Sequence, residues 1–460
     1  MKAKSVPSNW MQRDGCRLDC GPYMSGALEA KVLLEGLKAR KDALCKVTLN
    51  GMAGIFNGPR FARSYVEDPS YGVPFLGSTD ILDADLTHLP HLSKRQVDAN
   101  PRLIVRAGWT LITCSGTIGR MAYARPDMEG MTGSQHFMRV VPDPEKIPPG
   151  YLYAYLSSKF GVPLVGGGTY GAIIQHIEPE HIADLPVPRF GSSIEKRAHD
   201  LIADAARQRV AGAAARRESI ARVHELLSWG IPSAATITST PASALLRRMD
   251  AFHHLPKVVS ARECFAHRSA ERLADNVESV FEPNRGPRLK VENPAFGVPF
   301  LSSSEAFRLD PIGEYSISKR RTQNLESLLV CDRDLLLPRS GQLGGIIGRA
   351  VLPLPTYYGH AASEHLVRVR CRSKEDAFYL WAVFASDPGY LATIGTAFGS
   401  SIPSLDCGLL GDLQVPWLGG TTRQNLSTLV ASSVSATTKA IYLEREAVRL
   451  VEDAIEKGAH

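Results

Sequence analysis

The side chains here that could do chemistry lie in short polar loops broken by glycine. Ser115-Gly116-Thr117-Ile118-Gly119-Arg120 reads as a tight turn carrying hydroxyl and guanidinium donors, and Gln135-His136 offers groups able to hydrogen-bond adenine or guanine. Lys94-Arg95 could neutralise phosphates, while Arg120, behind a glycine that lets backbone approach closely, could reach a phosphate or a guanine edge. The same residue types return later as Lys319-Arg320, Ser340 with Gln342, Arg349 and Glu364-His365. Glu364 stands where the first set has Gln135. A carboxylate cannot donate to a base acceptor but can accept from the cytosine amino group, so the two sets are expected to read different sequences. Tyr170 and Phe398, each beside a glycine, could touch a sugar or a thymine methyl or simply pack, and His136 and His365 could equally be core histidines.

These loops recur because the chain is an internal repeat. Gly72-Val73-Pro74-Phe75-Leu76 returns as Gly297-Val298-Pro299-Phe300-Leu301, and at the same offset Ser78-Thr79-Asp80 meets Ser303-Ser304-Glu305 and Ser93-Lys94-Arg95 meets Ser318-Lys319-Arg320. The register holds to Ser115-Gly116 against Ser340-Gly341. It then slips, because Gln342 to Ile346 lengthen the second loop, so that Ile118-Gly119-Arg120 faces Ile347-Gly348-Arg349. Ser134-Gln135-His136 then pairs with Ser363-Glu364-His365, Tyr170-Gly171 with Phe398-Gly399, and Asp184 to Pro188 with Asp412 to Pro416. Arg17-Leu18-Asp19 weakly matches Arg248-Met249-Asp250.

Each copy closes on a different kind of sequence. From Ser192 to about Trp229 the chain lacks proline and spaces Ile194, Leu201, Ile220, Val223 and Leu227 as an amphipathic helix would. From about Thr421 to Lys457 the character repeats, with Leu426, Leu429, Leu443, Leu450 and Ile455 as an apolar seam and Gly458 as the stop. The two helices are natural partners for each other. The bodies before them read as short strands and turns. Leu103 to Val105, Leu111 to Thr113 and Leu335 to Leu337 are predicted strands, and Tyr151 to Ser158 and Phe378 to Ala385 predicted short amphipathic helices. The expected fold is α+β: two tandem globules over residues 1–190 and 244–418, a central helix over 191–231, a linker over 232–243 and a C-terminal helix over 419–460. A helix of about 37 residues spans roughly 55 Å, comparable with the turn of DNA between two half-sites once globule width is allowed for.

Several chemistries are excluded or disfavoured. Asn293-Pro294-Ala295-Phe296 approaches the Asn-Pro-Pro-aromatic loop of amino-methyltransferases, but lacks the second proline and any preceding glycine-rich cofactor motif, so it reads as a turn into Gly297. Pro142 to Lys146 holds the letters of a metal-dependent nuclease site compressed into one proline-bounded turn. Gly166 to Gly171 matches G-x-G-x-x-G without the helix a dinucleotide needs after it. Cys16 and Cys20 have no second pair to complete a zinc site. No catalytic residues and no metal are assigned.

The chain has 460 residues, 44% hydrophobic and 22% charged, with a mean hydropathy of −0.10. That is an ordinary globular composition without a membrane-length apolar run. Eight scattered cysteines read as reduced thiols of a cytoplasmic protein. A net charge of +6 and a pI near 8.8 permit an anionic partner without identifying one.

Taken in order, the motifs resemble those of the specificity (S) subunit of type I restriction-modification enzymes. The resemblance covers nearly the whole chain: Gly116 to Arg120, Gly133 to His136, Gly150 to Tyr153 with Tyr155-Leu156, Gly171 to Ile174, and Ile182 to Pro188 just before the helix. It departs at Ser340 to Arg349 and at Gln414. It implies two target recognition domains, each reading one part of a bipartite double-stranded DNA target, with the long helices paired as an antiparallel coiled coil. It also implies two methyltransferase subunits that supply S-adenosylmethionine and the adenine-methylating site, and a restriction subunit that could join. This chain would then be a non-catalytic address. Three alternatives stay open: an S-like subunit of another methylation-linked phage-defence system, a self-contained DNA-modifying enzyme, and a non-catalytic protein scaffold.

Overall fold

In the computed structural model, residues 4–13, 21–115, 118–167, 176–230, 239–246, 248–266, 269–313, 315–399 and 401–458 are described. The chain divides into two compact units. The first comprises Met1–Val210 with Lys439–His460, and the second Ala211–Thr438. Both are mixed α and β.

In the first unit, four short strands line up as Tyr65–Val66, His91–Ser93, Gly72–Leu76 and Thr132–Gly133. Neighbours are antiparallel except the last pair, where Phe75 and Thr132 run parallel. Such short strands hold because they cover a small apolar core of Phe75, Leu92, Val97 and Leu103. A second antiparallel sheet is ordered Ile55–Asn57, Phe137–Val140, Thr110–Thr113 and Met121–Tyr123. Its buried side chains, Ile112, Met138 and Val140 among them, join the main core with the helix Pro149–Leu156.

The second unit repeats these pairings in register. Gly297 faces Ser318 as Gly72 faces Ser93, and Phe300 runs parallel to Ala361 as Phe75 does to Thr132. Its other sheet keeps three strands, Val277–Phe281, Leu366–Cys371 and Asp334–Pro338, and a single bridge from Leu336 to Val351 stands in for the fourth. The Val-Pro motifs before the long helices are tied down alike. Tyr155 donates its hydroxyl to the Pro186 carbonyl at 2.5 Å and Tyr151 to that of Pro188, while Tyr379 donates to the Pro416 carbonyl at 2.5 Å.

The long helices run over Ser192–Leu227 and Gly420–Gly458 and pack together, each contributing one part to each unit. Gly458 is the last helical residue and not a stop beyond it. In the first unit Ala198 and Ile202 share a core with Ala447, Val451 and Ile455. There Arg209 reaches Glu444 through Nε at 3.1 Å and Nη2 at 2.5 Å. In the second unit Ser433 donates to the Gly212 carbonyl at 2.8 Å. A Cβ on Gly212 would stand 2.9 Å from the Thr437 hydroxyl and 3.1 Å from the Ser433 carbonyl.

Three expectations need correction. The predicted apolar seam is only partly the buried one: Val223, Leu227, Leu426 and Ile455 are buried, but Ile194, Leu201, Ile220, Leu429, Leu443 and Leu450 are half-buried, and the small residues Ala198, Ala205, Gly212, Ser219, Ser433, Thr437 and Ala440 are buried. Small side chains let two backbones approach, and Ile202, Val430, Val434, Ile441 and Val451 are buried beside them on the same helices. Leu103 to Val105 is not a strand, because Pro101–Leu103 forms a 3-10 turn and only Ile104 makes a bridge, to Thr132. The helices Pro149–Leu156 and Lys374–Ala385 are not amphipathic. Gly150 through Leu156 and Ala377 through Phe384 are buried on every side.

Cys16, Cys20, Arg17 to Asp19, Ala172 to Ile174 and most of the 232–243 linker lie outside the described residues. No helix among the described residues is long and apolar enough to cross a membrane. Cys45, Cys114, Cys331, Cys371 and Cys407 are free thiols.

Candidate nucleic-acid interface

The Gln135-His136 loop joins the strand Thr132–Gly133 to Phe137–Val140 and is built on a hydroxyl and a buried arginine. The Ser134 hydroxyl accepts the His136 N–H at 3.2 Å, while the Ser134 N–H donates to the Leu76 carbonyl at 2.9 Å. This local turn aims the residues after the serine out of the sheet. Below it the Arg139 side chain is fully buried. Its Nη1 donates to the carbonyls of Ser134 at 3.1 Å and Phe137 at 3.0 Å, and its Nη2 to those of Gly133 at 2.7 Å and Leu103 at 3.4 Å. Burial pushes the guanidinium below its ordinary range, to about 9. The four carbonyls and the Phe137 ring, 4.5 Å away, still favour the cation at neutral pH.

The second unit reproduces the loop. The Ser363 hydroxyl accepts the His365 N–H at 3.2 Å, and fully buried Arg368 donates to the carbonyls of Ser363, Leu366, Ala362 and Leu328. His136 and His365 are both exposed, so neither is a core histidine. Burial and the cationic neighbours Arg63, His176 and Arg60 hold His136 below the usual imidazole range.

Two arginines that sequence reading passed over complete the arrangement. Arg63 lies over the Phe75 ring at 4.9 Å and donates to the Gln135 amide oxygen at 3.0 Å. Arg288, at the equivalent repeat position, lies over Phe300 at 4.4 Å and is paired with Glu364. The repeat offset that aligned Phe75 with Phe300 could have found them.

Ser115 is half-buried and lies 3.0 Å from His136 Nδ1 and 3.3 Å from His176 Nδ1. His176 Nε2 is 3.4 Å from Glu178, which accepts from Asn57 at 3.0 Å. In the second unit Ser340 meets Ser404 at 2.7 Å instead.

The remaining predicted residues lie outside these loops. Gly119 and Gly348 take matching left-handed conformations, φ 76° and 70°, that only glycine adopts freely. Exposed Arg120 follows the first, and half-buried Arg349 follows the second, its Nε donating to the Gly345 carbonyl at 2.9 Å. Gln342 is exposed on the longer loop. Lys94 and Arg95 begin the exposed face of the helix Lys94–Ala99, and Lys319 and Arg320 are exposed after the matching strand. Beside them stand two exposed aromatics, Tyr71 at 68% and Phe296 at 66%, again equivalent in the repeat; the first is missed in the sequence and the second read only as part of a turn. Phe398 is exposed and not a packing aromatic, whereas Thr117 and Tyr170 lie outside the described residues.

Two of the decoys resolve as turns. Asn293 caps its own turn by accepting the Ala295 N–H at 2.9 Å, and Asp143 pairs with Lys146 at 2.9 Å. Asp80, Asp83 and His88 lie close enough to share a cation. Yet Asp80 already accepts the Gly77 N–H at 2.7 Å, and the second unit has Glu305, Arg308 and Gly313 at those offsets.

No protein-family model matches the sequence, and no curated protein matches it. Among solved structures the chain is similar to the type I restriction-modification S subunit from M. genitalium, at 11% identity and a TM-score of 0.36, over 92% of this chain and 96% of that one. It is also similar to the HsdS subunit from Thermoanaerobacter tengcongensis, at 14% identity and a TM-score of 0.27, over 91% and 96%. These neighbours are type I specificity subunits. A third, from work on complex assembly and conformational transition of the type I R-M system, gives 14% identity and a TM-score of 0.27 over 92% and 97%.

Proposed function

We propose that the chain is the DNA-recognition subunit of a type I restriction-modification complex, with each unit presenting one target recognition domain to one part of an asymmetric, bipartite double-stranded target. The observation that carries this reading is the duplicated polar face. In both units a loop held by a buried arginine carries an exposed histidine next to a residue paired with an arginine that lies on a phenylalanine, and exposed lysines and a glycine-arginine turn recur at matching repeat positions. Cations and amides on rigid backbone suit phosphate and base-edge contacts. Because the scaffold repeats while Gln135 gives way to Glu364, the two half-sites differ.

In this reading Lys94, Arg95, Lys319 and Arg320 hold phosphates. Ser115, Thr117, Arg120, Gln135, His136 and Tyr170 serve recognition of one half-site, and Ser340, Gln342, Arg349, Glu364 and His365 that of the other. The long helices bind two methyltransferase subunits, which carry S-adenosylmethionine and the adenine chemistry. A restriction subunit joins that assembly, and this chain catalyses nothing itself.

The test is co-expression with the neighbouring methyltransferase in a host lacking the system, followed by mapping of methylated adenines. A new motif in two unlike parts separated by a fixed gap is the expected result. No new methylation, with both proteins folded and associated, would overturn the assignment and favour a scaffold.

A further inference from the structure

Gln135 and Glu364 occupy one place in the repeated loop, but neither is the most accessible group there. Glu364 is only 7% exposed and Gln135 half-buried. What each touches is the arginine beside it. Arg63 keeps one hydrogen bond to a neutral amide and is exposed. Arg288 is bound by a carboxylate and also donates to the Tyr315 hydroxyl at 3.4 Å. Both guanidiniums rest on a buried phenylalanine, Phe75 or Phe300, which fixes the plane of the fork.

We infer that position 135/364 acts as a specificity switch through its arginine: Gln135 leaves the Arg63 fork charged and free for paired acceptors on DNA, whereas Glu364 neutralises Arg288 and withholds it. The ligand chemistry is two adjacent acceptor atoms, found on guanine as O6 and N7 and on the backbone as phosphate oxygens. Glu364 is thereby not a reader of the cytosine amino group, the role its residue type alone suggests. This inference rests on the DNA-recognition reading above and adds which side chain of each unit makes the contact.

The charge logic is testable by exchanging the two partners in the full-length chain. Gln135→Glu installs the carboxylate in the first unit, and Glu364→Gln, nearly isosteric, removes it from the second. Binding is measured against a fixed duplex over a salt series and against a pool of duplexes with a randomised centre, with circular dichroism confirming folding. Gln135→Glu is expected to weaken binding roughly ten-fold or more and to match Arg63→Ala, and the double variant to be no weaker than either. Glu364→Gln is expected to strengthen binding, and adding Arg288→Ala to cancel the gain.

If the acceptor is a phosphate, the salt slope changes by about one contact with base preference unchanged. If it is guanine, one guanine leaves or enters a single half-site. Additive effects of Gln135→Glu and Arg63→Ala, or variants that bind as wild type does, would overturn the switch while leaving DNA recognition intact. A wild-type chain showing no salt-dependent binding to either probe would overturn both readings.

Discussion

Arg139 and Arg368 are fully buried at equivalent points of the repeat, and each spends its guanidinium on the carbonyls of the loop that ends in an exposed histidine. Among the described residues, backbone carbonyl oxygens accept the hydrogen bonds of both guanidiniums. The backbone of the loop is thus set from below, while its outward side chains vary between the copies.

Arg139→Met should leave those carbonyls buried without donors. The expected cost is about 3 kcal/mol, since each unsatisfied buried acceptor costs about 1–3 kcal/mol and the effects overlap. A drop in urea midpoint for Arg139→Met and for Arg368→Met checks it. Unchanged midpoints would mean that the carbonyls find other donors.

Arg209 and Glu444 form a largely buried ion pair where the long helices meet in the first unit. Removing one partner with Glu444→Ala should cost about 3 kcal/mol by stranding a buried cation. Replacing both by Met and Leu should recover most of that. Thermal unfolding of the single and double variants reads the difference.

Gly212→Leu should destabilise by about 1–3 kcal/mol through overpacking, although leucine is the better helix former. The reason is the Ser433 carbonyl and Thr437 hydroxyl within 3.1 Å of the added Cβ. Greater stability in a denaturant titration would show that the helices part easily there.

His199 accepts the Gly150 N–H on Nδ1 at 3.0 Å, and burial holds its pKa below that of a free imidazole. A depressed folded pKa means that the unfolded chain takes up the proton first. The contribution is therefore complete above about pH 6.5 and is lost as pH falls through that value towards the folded pKa. His136 and His253, also lowered, act in the same direction. Urea midpoints of wild type and His199→Gln across this window should converge at acid pH.

Lys94→Ala should weaken DNA binding across sequences and make the salt slope shallower by about one. Arg120→Ala should instead impair one half-site. Methylation mapping beside a salt titration separates the two, and normal methylation of the full target by Arg120→Ala would remove it from the contacts.

The repeat carried most of what the sequence could tell. Gly72 to Leu76 and Gly297 to Leu301 became matching strands, and Ser134 and Ser363 matching turns, because backbone pairing and hydroxyl turns depend on local residue type. The helix seam is legible only in part, Val223, Leu227, Leu426 and Ile455 being buried as expected, because aliphatic periodicity does not register how closely alanine and glycine let two helices approach. For Arg63 and Arg288 the repeat offset marks the pair but not its role, because their partners Gln135 and Glu364 arrive only through the fold. Tyr71 and Phe296 look like ordinary core aromatics until burial is known.

Ala447, Val451 and Ile455 belong to the same core as Tyr151 and Ile112, although a whole second unit separates them in the chain. Lys159 is likewise held by Glu452, through its peptide N–H, and by Glu456. On the ribosome, where domains ordinarily fold in the order in which they emerge, the first unit is made early yet completed late. Its apolar face must wait through synthesis of the entire second unit, leaving it exposed to chaperones or proteases until the closing helix arrives.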